Sequence, residues 1–231
     1  MGYDLFNPPP ENFGLPENNI TINRLEDIRQ INGLRYIPSY VTREEHDQLV
    51  ATIQSMPWLT DIKRRVQHYG WKYDYKVRSI DYSMYMGELP YWVAPLALRI
   101  FNDGYISTMP DQMIVNEYLP GQGIAPHIDC EPCFEDTVIS ISLLSPVVMD
   151  FAKIKSTKRT SVLLEPRSLV VISGEARYSW THGIAARKTD VFWNERFQRK
   201  LRISLTFRKV KLHETSKKPL TYSNDCQIKD I

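Results

Sequence analysis

Beyond Gly104 the chain breaks into short β-branched runs parted by turn residues, and that rhythm excludes most architectures before any motif is read. The runs are Gln112–Tyr118, Val138–Leu144, Val147–Phe151, Ser161–Leu164, Leu169–Ser173 and Leu201–Lys209. Runs of this length and composition read as strands. So many at this spacing predict a mainly β protein with flanking helices and a double-sheet, jelly-roll core. Gly33–Tyr40 reads as one more short strand ahead of them. Thr42 opens a helix: Thr42-x-x-Glu45 is a capping box, Leu49, Val50 and Ile53 supply the apolar face, and Pro57 stops it. A second helix is expected from about Pro90 to Asn102, closed by Gly104. Residues 1–30, with Pro8, Pro9, Pro10 and Pro16, read as an irregular arm, and 211–231 as a polar tail. The domain between them spans 31–210.

The composition narrows the partners. A net charge of +2 carries no polyelectrolyte signal, so any nucleic-acid contact has to come from a local basic patch. No run approaches the length of a transmembrane helix. The N-terminus lacks a signal pattern, and Phe6 stands where a myristoylation signal needs Ser or Thr. Cys130, Cys133 and Cys226 form no disulfide framework, and Cys130-Glu-Pro-Cys133 reads as incidental. The expectation is a soluble, monomeric, cytoplasmic protein, with the nucleus open to it in a eukaryote.

Chemistry concentrates in Asn116–Asp129. In an extended segment His127 and Asp129 project to one side, where an imidazole and a carboxylate can share a cation. A third ligand from afar would give two histidines and a carboxylate on one face of the metal, an arrangement suited to non-haem Fe(II) rather than structural zinc. Of the five histidines, His46 lies on the exposed side of the first helix, His213 in the tail and His68 in a basic-aromatic stretch. His182, after an apolar strand, is the natural third ligand; a hydrogen-bonded core histidine fits the same place. Two further strands carry polar residues on one face. Asn116 and Tyr118 alternate with Met113 and Val115, and Arg202, Ser204, Thr206 and Arg208 alternate with Ile203, Leu205 and Phe207. Arginines facing inward need anionic partners, and their forked geometry matches a carboxylate.

Taken together, His127-x-Asp129, His182, Arg202-x5-Arg208 and Asn116-x-Tyr118-x-Pro-Gly resemble the signature of the AlkB family of Fe(II)- and 2-oxoglutarate-dependent dioxygenases, in order, over roughly residues 30–210. The resemblance implies a double-stranded β-helix core. It implies His127, Asp129 and His182 as iron ligands, and Asn116, Tyr118, Arg202 and Arg208, with Ser204 and Thr206 beside them, around 2-oxoglutarate. O2 would be the oxidant. The expected reaction is oxidation of alkyl groups on nucleobases of DNA or RNA.

Lys63–Tyr75 mixes cations with aromatics where AlkB relatives carry a nucleotide-recognition lid, here around 61–86. Cations contact phosphate and aromatic faces stack on an extruded base. Arg64, Tyr69, Trp71 and Tyr73 are the expected substrate contacts, together with Glu131, two residues past Asp129. Arg64–Gly70 and Ser173–Ile184 look closest to the branch that modifies the wobble base of tRNA. That branch, in animals, carries an RNA-binding module in front and a methyltransferase behind, for which 231 residues leave no room. Wobble-uridine hydroxylation and protein hydroxylation or demethylation are therefore the alternatives.

Overall fold

The computed structural model describes residues 28–60 and 62–212. The expected arm over 1–30 and tail over 211–231 lie outside that range except at their inner edges, as do His213 and Cys226.

Along the chain run β1 (Leu34–Ile37), α1 (Arg43–Ser55), β2 (Val66–Tyr69), α2 (Ala94–Asn102), β3 (Gln112–Tyr118), β4 (Ile124–His127), β5 (Phe134–Leu144), β6 (Val147–Lys153), β7 (Arg159–Leu164), β8 (Leu169–Ile172), α3 (Gly174–Tyr178), β9 (Trp180–Ile184), β10 (Thr189–Phe192), β11 (Glu195–Gln198) and β12 (Arg202–Val210). A six-stranded antiparallel sheet has the order β1-β8-β5-β12-β3-β2, and a four-stranded sheet the order β4-β9-β6-β7. β10 and β11 form a separate hairpin. All six strand runs read from the sequence are present, with β5 beginning four residues earlier, at Phe134.

The helices obey their end signals. Thr42 Oγ1 accepts the Glu45 N–H at 3.1 Å while Glu45 Oε2 accepts the Thr42 N–H at 2.8 Å, so the capping box closes on both sides. The stretch before α2 is a turn at 90–93, and the helix proper starts at Ala94 with Pro95 in its first turn. His46 is not turned to solvent as its helix position suggested. Its Nε2 accepts the Leu144 N–H at 3.0 Å, which satisfies a backbone donor at the end of β5.

Alternation decides what each side of the large sheet does. Met113, Val115, Ile139, Ile141, Leu143, Leu169, Val171, Ile203, Leu205 and Phe207 pack outward beneath α1 and α2. Each such side chain contributes about 1.5–3 kcal/mol when fully buried. The opposite side faces the small sheet. There Val138, Val147, Met149, Phe151, Val162, Val170, Ile172 and Ile184 fill part of the gap, and the rest is a polar-lined cavity.

Candidate active site

The cavity holds about 440 Å³ between the two sheets. Its inner wall is built by β3 and β12, which are hydrogen-bonded neighbours. Their pairing sets Arg202 opposite Tyr118, Ser204 opposite Asn116 and Thr206 opposite Ile114. Since residues opposite one another share a face, the alternation read in each strand merges into one polar surface. Asn116, Tyr118, Arg202, Ser204, Thr206 and Arg208 all line the cavity.

The other wall carries the metal-ligand candidates. His127 ends β4 directly opposite His182 of β9, with ring centroids 4.5 Å apart. Gly183 permits this approach, because a Cβ there would meet Pro126 N at 2.8 Å and Pro126 Cα at 2.9 Å. One donor atom each from His127, Asp129 and His182 lies within 4.8 Å of the other two, and all three residues face the cavity. His127 Nδ1 lies 2.9 Å from the Ala125 carbonyl, which can only accept. The Nδ1 proton is thereby fixed and the Nε2 lone pair left for a cation.

Electrostatics keep the set in its ligand form. Burial raises the Asp129 carboxyl, but the attraction of Arg208, then of His182, His127 and Arg177, outweighs it and holds the group well below the usual carboxylate range. Arg208 Nη2 donates to Asp129 Oδ1 at 2.7 Å, while Oδ2 lies 3.5 Å from His182 Nε2. His182 is pushed down to about 4, chiefly by burial, with Asp129 opposing, so its imidazole is neutral near pH 7. Arg177 of α3, fully buried, donates to the carbonyls of Asp129 at 2.9 Å and Cys130 at 3.3 Å and fixes the segment behind the carboxylate.

Arg202 is only 2% exposed. Its Nη2 donates to Ser142 Oγ at 2.9 Å and its guanidinium carbon lies 5.3 Å from the Tyr118 ring centre. Nε and Nη1 are buried without a hydrogen-bond partner. Burial draws this guanidinium down to about 10. A buried cation with orphaned donors is costly unless an anion meets it, and a carboxylate accepts two such N–H groups in parallel. The donor set therefore fits a dicarboxylate. The three metal-ligand candidates, open toward the same cavity, fit Fe(II) better than a closed structural zinc.

The expected substrate contacts divide. Arg64 and Tyr73 line the cavity, and Arg64 Nε donates to Asn116 Oδ1 at 2.8 Å. Tyr69 does not: it points into the helix-side core, edge-on to Trp92, with its hydroxyl on Gln67 Oε1 at 3.0 Å. Trp71 does not either. It is buried against Tyr82 and Tyr85 beneath the segment that carries Tyr73. Glu131 is exposed and outside the lining. The reasons are local: Tyr69 pairs with Met113 and so shares the helix side of the sheet, while past Gly70 (φ 76) the chain leaves β2 and strand parity no longer tells which aromatic faces inward.

Three lining residues fall in the expected lid without having been named as contacts. Tyr75 presents a buried hydroxyl without a hydrogen-bond partner, and Lys63 and Arg78 add cations at the cavity. The aromatic repeat Trp71, Tyr73, Tyr75 held the signal for Tyr75. Cys130 and Cys133 are not incidental: they form a disulfide, with Cα atoms 5.3 Å apart, closing the turn just behind Asp129. A turn-closing Cys133 N–H to Cys130 carbonyl bond brings them within bridging range.

Comparison with known proteins agrees with this geometry. The chain matches the 2OG-Fe(II) oxygenase superfamily over residues 33–208. It is 36% identical to the alkylated DNA repair protein ALKBH8 homolog of Arabidopsis thaliana, over 90% of this chain and 67% of that protein. It is also 36% identical to the tRNA (carboxymethyluridine(34)-5-O)-methyltransferase ALKBH8 of Mus musculus, over 78% of this chain but only 30% of that protein. The solved structure of OsALKBH1 superposes with a TM-score of 0.58 at 16% identity, over 77% of this chain and 98% of that one, which shows the shared fold. The chain thus belongs to the 2OG-Fe(II) oxygenase superfamily, in its AlkB family, and is a 2-oxoglutarate-dependent dioxygenase.

Proposed function

We propose that the cavity oxidises an alkyl group on a nucleobase, with His127, Asp129 and His182 holding Fe(II) and Arg202 holding the far carboxylate of 2-oxoglutarate. The observation that carries this reading is the pair of orphaned donors on Arg202, set across the same cavity from the His-Asp-His cluster. When bound, iron and 2-oxoglutarate supply the oxidising chemistry: O2 is consumed, 2-oxoglutarate becomes succinate and CO2, and one oxygen atom enters a C–H bond of the substrate.

The chain's own residues bind, orient and exclude. Arg208 holds Asp129 by one oxygen and leaves the other toward His182. Asn116, its carbonyl occupied by Arg64, has its amide donors left for the co-substrate. Ser204 and Thr206 complete the polar wall, and Ile114, Val138 and Ile172 keep the space around it apolar. Tyr73, Tyr75 and Phe134 give the outer cavity aromatic surface for a base.

N-demethylation of an alkylated base and hydroxylation of a wobble-uridine substituent both fit this chemistry, and one observation favours the second. With Arg202 given to the co-substrate and Arg208 paired with Asp129, the lining still carries Lys63, Arg64 and Arg78, and no second carboxylate among the described residues. Such a cavity repels a cationic base such as 1-methyladenine and accepts a neutral or anionic substituent. The name of the mouse relative, 30% of which this chain covers, places a methyl transfer on carboxymethyluridine at tRNA position 34. The test offers the iron-loaded full chain three polymers with 2-oxoglutarate: DNA and RNA strands carrying methylated bases, and tRNA carrying the modified uridine. Nucleosides are then read by mass spectrometry. Loss of a methyl with formaldehyde, or a gain of one oxygen on uridine, supports nucleobase oxidation and identifies its form. Unchanged nucleosides in all three overturn it.

A further inference from the structure

The β10–β11 hairpin contributes nothing to the cavity lining, yet its sequence is not the one its turn would choose. Trp193 and Asn194 form the two-residue connection, both in the left-handed region at φ 49 and 65. Such a turn matches strand twist and favours Asn-Gly or Asp-Gly, because a bulky side chain there crowds the following carbonyl. Trp193 accepts that strain and still leaves 52% of its surface in solvent. Its ring meets Phe192 edge-on, with centroids 6.1 Å apart, and the other half of the indole is left free for a partner.

The two faces of the hairpin have separate tasks. Phe192 and Phe197 pack down on Val148 and Leu163. Beside them Asp190, fully buried, accepts the Val148 N–H at 3.1 Å, Arg187 Nε at 2.6 Å, and Arg199 Nε and Nη2 at 2.6 and 2.8 Å. This clamps the hairpin base to the small sheet. The outer face carries Thr189, Val191, Arg196 and Gln198, since Val191 pairs with Arg196 and Thr189 with Gln198. Lys188 and Arg196 are exposed, and neither makes an ion pair among the described residues.

The base of the hairpin connects to the cavity mouth. The Gly121 N–H donates to the Arg187 carbonyl at 3.2 Å, and Gln122 Nε2 donates to the carbonyl of Lys63, a lining residue, at 3.0 Å. Arg199 Nη1 reaches the Gln122 carbonyl at 3.3 Å. The loop 119–123 thus joins the hairpin base on one side to Lys63 and Arg64 on the other. Lys188 stands at this junction, its Cγ 3.8 Å from where a Gly121 Cβ would lie, and Arg196 and the exposed indole lie farther out along the hairpin.

We infer that this hairpin is a docking surface for the single strand that flanks the base in the cavity, with Lys188 and Arg196 on phosphates and Trp193 stacked on a neighbouring base. The inference rests on the nucleobase reading above. A rigid ribbon with cations along it and an aromatic tip suits a polyanion with stackable faces; a protein partner would need the apolar residues without the charges.

The experiment measures fluorescence anisotropy of a short labelled, unmodified RNA strand with the full chain across a salt series. Trp193→Asn suits the turn better, so its unfolding temperature should equal or exceed that of the parent while affinity falls about ten-fold. Trp193→Phe keeps an aromatic face and should stay within about three-fold of the parent. Lys188→Ala with Arg196→Ala should flatten the slope of log affinity against log salt by about 1.4, or about 0.7 for each lost phosphate contact on a single strand. Parent affinity for Trp193→Asn together with an unchanged salt slope for the double variant overturns the docking surface. If that occurs while the parent still oxidises nucleic acid, the hairpin alone is misassigned. If the parent neither binds RNA nor changes any nucleoside, the nucleobase reading fails and takes this surface with it.

Discussion

Arg202 is the residue on which the co-substrate assignment turns. Losing a buried, hydrogen-bonded partner of a charged group costs about 2–5 kcal/mol, so Arg202→Ala should raise the KM for 2-oxoglutarate on the order of a hundred-fold. Arg202→Lys keeps the charge without the fork and should fall between the two. An unchanged KM in Arg202→Ala would remove the clamp. His182 makes a second prediction, for the metal-free protein. Its folded pKa of about 4 lies below the ordinary 6.5, so between those values the unfolded chain binds more protons and stability falls as pH falls. The contribution is on the order of 3 kcal/mol, fully present above about pH 6.5 and lost toward about pH 4. Thermal melts of parent and His182→Gln across that window should diverge in slope, and parallel slopes would show that the imidazole is not held neutral by burial. At this scale the sequence was most readable where chemistry leaves a spaced pattern, as in His127-x-Asp129 and Arg202-x5-Arg208. It was least readable at Tyr69 and Trp71, whose aromatic rings serve packing and recognition equally well. Tyr69 is set apart from Tyr73 and Tyr75 by its place in β2 ahead of the Gly70 turn, and Trp71 by its burial against Tyr82 and Tyr85.

Among the elements, the contact between β4 and β9 governs the ligand geometry. Gly183→Ala would set a Cβ against the Pro126 backbone, an overpacking that costs about 1–3 kcal/mol. Urea denaturation should show that loss, and Fe(II) titration should show weakened binding as His182 is displaced from His127. Normal stability and normal iron affinity together would mean that the strands do not need this approach. Asp190→Ala should cost more, about 3–5 kcal/mol, because it strands the buried Arg199 guanidinium; a loss under 1 kcal/mol by denaturation would contradict the clamp. The elements differ in how plainly they are written. Alternating strands such as β3 and β12 and the capped helix α1 follow directly from residue pattern. β4 does not, since it is four residues long, contains Pro126 and is poorly buried. The β10–β11 hairpin is hidden because Trp193-Asn194 lacks the glycine that marks such turns.

At the scale of the molecule, two sheets divide the work. The large sheet seals its outer face with helices and presents β3 and β12 inward; the small sheet brings β4 and β9 to meet them. No single segment contains the site. The residues proposed to hold metal and co-substrate lie between Asn116 and Arg208, and only strand pairing gathers them. Pairing partners are set by long-range packing rather than by local pattern, so the order of strands was beyond the reach of the sequence, as were the short strands β2, β4, β9, β10 and β11, while the faces of alternating strands such as β3 and β12 were not. The same division predicts that co-substrate turnover and substrate oxidation are coupled through one cavity. The most direct measurement is therefore the ratio of succinate formed to nucleoside oxidised, in the iron-loaded chain with its preferred modified polymer and with Asp129→Ala as the control. One succinate for each oxidised nucleoside, and neither product from Asp129→Ala, is the predicted result. Succinate without any change in the nucleic acid, or nucleoside oxidation that survives in Asp129→Ala, would contradict the account.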